Sequence, residues 1–434
     1  MQPGGWAARA AVLALTVLLA ACASSPATPS PGPTATPAPS PSTAAPTGSE
    51  TASPQATPSV APTESAQPTA SSTPAAVGPS QLTIRWVNPP GPSNLSDLHD
   101  IRGYARQGNR FVIVGSHNVG SGDEETFEPA IWWSDNATLW HPASLPSGYG
   151  ADSPLCCIAD VTAGGPGFVA AGGRLPLWST DGKSWAEGTG DAVDDGQITA
   201  VGADSSGVFA FGTDNSEKPI ARGSSDGKQW ADESGVASSL DSTSVDLATG
   251  EAMLAFARKG NFGSGETAVW RTPSPGVWQQ IATIDDWTQA VAFGAKGWIA
   301  VGAGGVWLSP HGFNWQRAPT QPKGEAMALV SDQAGYVAVT RIIPPGCVIE
   351  ESAVIGLTWT SVDGNDWQKM KQQWTGRWLD ALFTQNRQLI GVGESHETTD
   401  FGYVRTADLP GSTQAIGAAP TPQPTPTPNE GCGL

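Results

Sequence analysis

Asp100, Arg102, Asp160, Arg377 and Asp380 are the side chains whose types and placement suit a binding or catalytic centre. The three aspartates stand at comparable points near the starts of short apolar segments, and Arg102 and Arg377 lie close to two of them. If those segments line a shared funnel, the carboxylates would meet there. They would then hold a cation such as Ca²⁺ or raise one another's pKa. Further acids sit in insertions between apolar segments: Asp123, Glu124, Glu125 and Glu128, then Glu350 and Glu351, then Glu394, Glu397 and Asp400. The plain reading is a solvated acidic surface; the sharper one is a surface for a cation or cationic ligand. His396 beside Glu397 reads as a surface pair, and the Asp191 to Gly196 stretch lacks the full calcium-loop pattern. No phosphate loop, nucleophile elbow or His-Glu-x-x-His zinc helix occurs, so no cofactor other than Ca²⁺ is expected.

The elements that must position these residues repeat. Apolar strands read Phe111-Val-Ile-Val-Gly115, Phe168-Val-Ala-Ala-Gly172, Val208-Phe-Ala-Phe-Gly212, Met253-Leu-Ala-Phe256, Trp298-Ile-Ala-Val-Gly302, Tyr336-Val-Ala-Val-Thr340 and Leu389-Ile-Gly-Val-Gly393. Each belongs to a unit that contains a second signature. Ser179-x-Asp181-Gly182-x-x-Trp185, Ser224-x-Asp226-Gly227-x-x-Trp230 and Ser361-x-Asp363-Gly364-x-x-Trp367 are close copies. Ser309-Pro-His-Gly312-x-x-Trp315 and the stretches ending at Trp140 and Trp278 are looser ones. Asp-Gly is a hairpin signal, because glycine takes positive φ without strain and the carboxylate can accept turn amides. The closing Trp adds a large apolar cover, so these residues read as a structural staple. Most of the 18 tryptophans are absorbed this way. Trp287, Trp374 and Trp378 remain as candidate platforms for a sugar or peptide, with core packing the expected role of each.

The Ser-x-Asp-Gly-x-x-Trp hairpins resemble the Asp-box of bacterial neuraminidase repeats, in a variant one residue shorter. The resemblance covers roughly residues 82 to 411 and implies an all-β, seven-bladed β-propeller of four-stranded antiparallel blades. It places the hairpins on the outer half of each blade, away from the ligand-binding face. The last unit has no closing Trp after Thr406-Ala-Asp408, whereas an unassigned strand, residues 82–88, carries Trp86. That strand is expected to complete the seventh blade and seal the ring. Sialidase chemistry, which the resemblance brings into view, would need three arginines around a carboxylate and a tyrosine paired with glutamate. Arg102, Arg341 and Arg377 are the candidates for the former, and Ile101-Arg102-Gly103 is the nearest echo of the family's Arg-Ile-Pro segment. The expected function is therefore a non-catalytic binding or assembly module for a protein or surface glycan, with a sialidase-like hydrolase as the alternative.

Residues 1–21 have one basic side chain, Arg9, and a short apolar run, which suits a signal peptide. The run ends in Leu19-Ala-Ala-Cys22, which resembles a bacterial lipobox and implies lipidation at Cys22. Residues 22–80 are Pro, Thr, Ser and Ala with almost no large apolar group and are expected to be a disordered tether. The folded part is expected over 81–411, and 412–434 repeats the tether's composition. Together these imply a monomer held on the extracytoplasmic side of a bacterial cell membrane by its lipid alone. The net charge of −18 argues against nucleic acid and against adhesion to anionic lipid. Cys156, Cys157, Cys347 and Cys432 would be free to form disulfides after export, with connectivity open.

Overall fold

The computed structural model describes residues 82–89, 91–119, 126–149, 155–193, 196–240, 242–261, 264–274, 277–342, 354–375, 377–395 and 402–410. Cys22, Cys347, Cys432 and most of the acidic insertions lie outside them. So do the expected signal peptide, tether and C-terminal tail.

Each sequence unit folds as an antiparallel meander whose second strand is covered on both sides. In the first blade, Leu98–Gln107, Arg110–Asn118, Phe127–Ser134 and His141–Pro142 pair in order, and Phe111 to Ser116 are all buried. That is why second strands read as unbroken apolar runs rather than alternating ones. The first five blades are separate sheets, and the third gains a parallel outer strand, Thr189–Gly190. The last two blades share one seven-stranded sheet, joined where Ile355 meets Arg377 in a single parallel pair. The seven innermost strands are Leu98–Gln107, Asp160–Gly164, Gly196–Asp204, Ser244–Thr249, Thr288–Gly294, Glu325–Asp332 and Arg377–Gln385. Each touches the next, and the seventh touches the first, so the ring closes as a seven-bladed propeller. One short helix, Ser234–Leu240, was not foreseen. Its Val236, Ala237 and Leu240 fill the wedge between Phe209 and Phe211 of blade 3 and Met253 of blade 4.

The closing tryptophans do more than cover their own turns. Trp140 of blade 1 stacks toward Phe383 of blade 7, with centroids 6.0 Å apart, and Trp278 of blade 4 meets Phe209 and Phe211 of blade 3 edge-on at 5.4 and 5.5 Å. Trp315 of blade 5 meets Phe256 of blade 4 at 5.9 Å. Trp185, Trp230 and Trp367 likewise join the apolar clusters of the preceding blade, against Val112, Val169 and Ile299 respectively. Each ring is thus a wedge between its own blade and the one before, so successive blades are coupled by buried aromatic area.

Trp86 obeys the same rule. It is 1% exposed and, with Leu82 and Ile84, joins one apolar cluster with Val337 and Val339 of blade 6 and Leu389 and Ala407 of blade 7. Its indole N–H donates to Thr358 Oγ1 at 3.0 Å, and its backbone is clasped by the Gln372 amide. Val87 exchanges both backbone hydrogen bonds with Thr406, at 2.7 and 2.9 Å. Residues 82–88 therefore close the last blade, through one bridge rather than a full strand ladder.

The turns at Ser179, Ser224 and Ser361 share one network. The Ser179 hydroxyl accepts the Gly182 N–H at 2.9 Å, and Asp181 Oδ1 accepts the Lys183 N–H at 2.9 Å. The Trp185 and Trp367 indoles donate to the Gly182 and Gly364 carbonyls at 3.1 and 2.7 Å. The loosest copy is complete in space: Asn136 replaces the aspartate and Ala137, at φ 57°, stands where glycine is usual. In blade 5 the network is defective. His311 occupies the acid's place with its side chain 73% exposed, and the buried Ser309 Oγ has no partner among the described residues. His311→Asp is expected to satisfy that hydroxyl and stabilise the fold by about 1 kcal/mol, read as a higher urea midpoint at unchanged slope.

Candidate functional site

The strand directions put the inner-strand starts, the second-strand ends and the blade-to-blade connections at one mouth of the funnel, opposite the Trp-closed turns. At that mouth the ladders slip. Between Ile101 and Gly103, Ile198 and Ala200, Thr288 and Ala290, Ala326 and Ala328, and Leu379 and Ala381, one residue is squeezed out of register. The bulged residues are Arg102, Thr199, Gln289, Met327 and Asp380. A β-bulge re-aims its side chain and leaves the extra residue outside the ladder. The glycine that ends the facing strand is the counterpart: a Cβ at Gly115 would overlap the Asp100 carbonyl, and one at Gly393 the Trp378 carbonyl. The recurrent Val-Gly ending in the sequence is the imprint of this device.

An innermost strand is a sheet edge, so its outward amides need acceptors. Gln289 Oε1 accepts the Ala326 N–H of the next blade at 3.1 Å. Asp160 does similar work, accepting the N–H groups of Val161 at 2.7 Å and of Val201 in the next blade at 3.0 Å. Asp160 is thus a structural cap between blades 2 and 3. Burial pushes its carboxyl up to about 7, against partial opposition from those two amides. Both states are protonated at acid pH; as pH rises from about 4 to about 7 the unfolded chain ionises first, so this group withdraws stability across that window. Asp160→Asn has no such slope. The stability of the native chain relative to that variant is expected to fall by on the order of 1 kcal/mol per pH unit between pH 4 and 7. Urea melts at stepped pH measure it.

Blade 7 breaks the pattern. The equivalent amide, Ile101 N–H, is taken at 3.0 Å by Glu394 Oε1 from the neighbouring strand, which releases the bulged Asp380 from capping duty. Asp380 is 7% exposed, and its Oδ2 has no hydrogen-bond partner among the described residues. Burial, then the nearby Glu394 carboxylate, hold its carboxyl well above the usual range; Arg341 and the Trp378 side chain oppose them. Arg341 is itself paired with Glu325 Oε2 at 2.7 Å and lies over the Trp378 ring, 5.3 Å from its centroid. Arg102 donates to Asp100 Oδ2 at 2.5 Å. Tyr104 reaches from blade 1 past blade 7 to the Leu329 carbonyl of blade 6, at 3.2 Å, and so lies across the channel beneath the charged groups. The result is a cup walled by blades 6, 7 and 1, with Asp380, Glu394 and Asp100 set against Arg341 and Arg102.

Of the expected funnel residues, Asp100, Arg102 and Asp380 come together, whereas Asp160 serves the frame. Arg377 starts the inner strand of blade 7 and is half-buried. Trp378 is 4% exposed and forms wall rather than platform; Trp287 is half-buried. Glu325 was missed, although it opens an inner strand in register with Asp100. His117 was missed as well, held between Asp97 and Glu128 at 3.6 and 3.5 Å on the same rim of blade 1. The hydrogen bond to Asp97 is the main cause of its raised pKa. Cys156 and Cys157 are free thiols in the connection from blade 1 to blade 2, beside Arg102. No cluster of three or more metal-type ligands converges among the described residues. A cleft of about 450 Å³ lies at the opposite rim beside the Ser224 turn; its one carboxyl, Glu233, has no catalytic companion there.

No family model and no curated protein matches the chain. Among solved structures it is similar to the β-propeller domain of the trilobed protease from Pyrococcus furiosus, at 8% identity over 71% of this chain and 92% of that one, with a TM-score of 0.42. The extracellular domain of a one-component system from B. thetaiotaomicron gives 7% identity over 72% and 40%, at 0.41. A glycoside hydrolase gives 11% identity over 81% and 94%, at 0.29.

Proposed function

We propose that the chain is a non-catalytic binding or assembly module whose ligand, a protein or surface glycan, enters the cup between blades 6, 7 and 1. The observation that carries this reading is the Oδ2 of buried Asp380, unpartnered among the described residues, beside Glu394. An unsatisfied buried acceptor costs folding energy, on the order of 1–3 kcal/mol, and a ligand that donates to it recovers that cost. The fitting donor is an ammonium, a guanidinium or a pair of sugar hydroxyls. In this reading the Asp-box-like hairpins hold the scaffold, Cys22 carries the lipid, and residues 23–80 hold a monomeric propeller clear of an outer membrane face.

The sialidase-like alternative has less support. Arg102 and Arg341 are already engaged with Asp100 and Glu325, and the Tyr403 hydroxyl donates to the Trp378 carbonyl at 2.9 Å. Burial pushes that phenol further up, the opposite of what a tyrosine nucleophile needs. The test is a glycan microarray and a lysine- and arginine-bearing peptide library, both probed with the full chain and with Asp380→Asn. Hits lost in Asp380→Asn but kept in His311→Asp, at the far rim, support the cup. Hits indifferent to Asp380, or sustained turnover of a fluorogenic sialoside, overturn the reading.

A further inference from the structure

Cys156 and Cys157 form a second chemical centre, outside the carboxylate cup. Side chains of successive residues in extended chain point to opposite sides. Here the backbone bends at Cys156, and the two Sγ atoms face each other at 2.8 Å. The bend is held from its downstream side, and Tyr149 anchors the same connection further upstream. Ile158 N–H donates to the Gly115 carbonyl at 3.0 Å, Ala159 N–H to the Ala171 carbonyl at 2.9 Å, and the Tyr149 hydroxyl to the Gly172 carbonyl at 3.1 Å. Cys156 is exposed and Cys157 half-buried, so an approaching reagent meets Cys156 first. The Arg102 guanidinium is close enough to both sulfurs to favour a thiolate there. The hydrogen bond from Cys157 and then the Arg102 cation lower the pKa of Cys156, whereas that same hydrogen bond and burial raise that of Cys157.

We infer that Cys156 and Cys157 are a vicinal dithiol that closes reversibly to a ring disulfide by exchange with an external low-molecular-weight disulfide. The Cys156 thiolate attacks one sulfur of the external disulfide, forms a mixed disulfide and expels the other half as a thiolate. Cys157 then loses its proton and attacks Cys156 Sγ, expelling the second half. The external disulfide is thereby reduced to two thiolates, one of which takes up the proton from Cys157, and the pair loses two electrons and one proton. Closing an eight-membered ring across one peptide bond is strained, and strained, exposed disulfides are the readily reduced ones. The site is thus built for reversal. Closure also removes the negative sulfur facing Arg102, which leaves Asp100 as that guanidinium's main partner at the rim of the cup.

The test is equilibration of the full chain in glutathione buffers of stepped ratio, followed by peptide mapping. The expected product is a 155–158 peptide lighter by two hydrogens, restored by mild reductant. Cys157→Ser should stop at a stable glutathione adduct on Cys156. Cys156→Ser and Arg102→Gln should each react slower by about tenfold at neutral pH, with the Arg102→Gln deficit vanishing at alkaline pH. The inference is overturned if both thiols stay free at full oxidation, or if Cys156 pairs with Cys347, Cys432 or another chain. Equal reactivity of Arg102→Gln and native protein at every pH would overturn the assigned part of the guanidinium.

Discussion

Trp86→Ala is expected to destabilise the propeller by about 3–5 kcal/mol, as much as truncating a tryptophan in any interior blade. Trp86 is almost fully buried between blades 6 and 7, and its removal leaves a cavity in the apolar cluster it shares with both. It also strips the Thr358 hydroxyl of its indole partner. The loss should be uneven in space. The Thr406 N–H, bonded to the Val87 carbonyl, should exchange with solvent far faster, while the Ser179 and Ser224 turns keep their protection. Trp133, half-buried and stacked on His141, provides a control whose truncation should cost well under half as much.

Asp380→Asn is expected to move stability and binding in opposite directions. Stability should rise by about 1–3 kcal/mol at pH 8, because a buried carboxyl beside another acid must otherwise ionise or hold its proton at a cost. The sign follows from the raised pKa. The native chain gives up stability as pH climbs from the unfolded carboxylate value to the folded one, so the variant's advantage should grow with pH and shrink toward pH 4. Binding of a cationic ligand should fall at least about tenfold, since the amide cannot take the charge-assisted hydrogen bond. In the native chain the ligand displaces a proton from Asp380, so affinity should increase with pH. Glu394, Asp100 and Arg341 face the same carboxyl and set where that increase falls. Urea melts and titrations at stepped pH separate the two effects.

The frame was legible because its causes are local. Asp-Gly turns, a Trp at fixed spacing and an apolar run ending in glycine each dictate a piece of one blade, and their recurrence supplies the ring. The orphan Trp86 could be assigned by counting. The cup was legible only in part, because a bulge shifts register and changes which residue faces the funnel. Asp160 and Asp380 look alike in sequence, yet one caps the next blade and the other is released by Glu394. Glu325 and His117 lacked any neighbouring motif, and only the pairing of second-strand ends with inner-strand starts brings them to the mouth. The Val-Gly endings were visible as repeats, while their reason, room for the bulge carbonyl, is purely three-dimensional. The partner of each tryptophan was equally hidden, since contact with the preceding blade is long-range.

Every assignment of rims and of the cup depends on blade 7 being sealed by the segment after residue 81, and a cross-link reads that seal directly. Val87 and Thr406 exchange both backbone hydrogen bonds, a pairing that sets Cα atoms about 5.5 Å apart and suits a disulfide. With the native cysteines replaced by serine, Val87→Cys with Thr406→Cys should oxidise fully within one chain while folded and raise the urea midpoint. Thiols that stay free in the folded, oxidised chain, or that join separate chains, would contradict the closed ring.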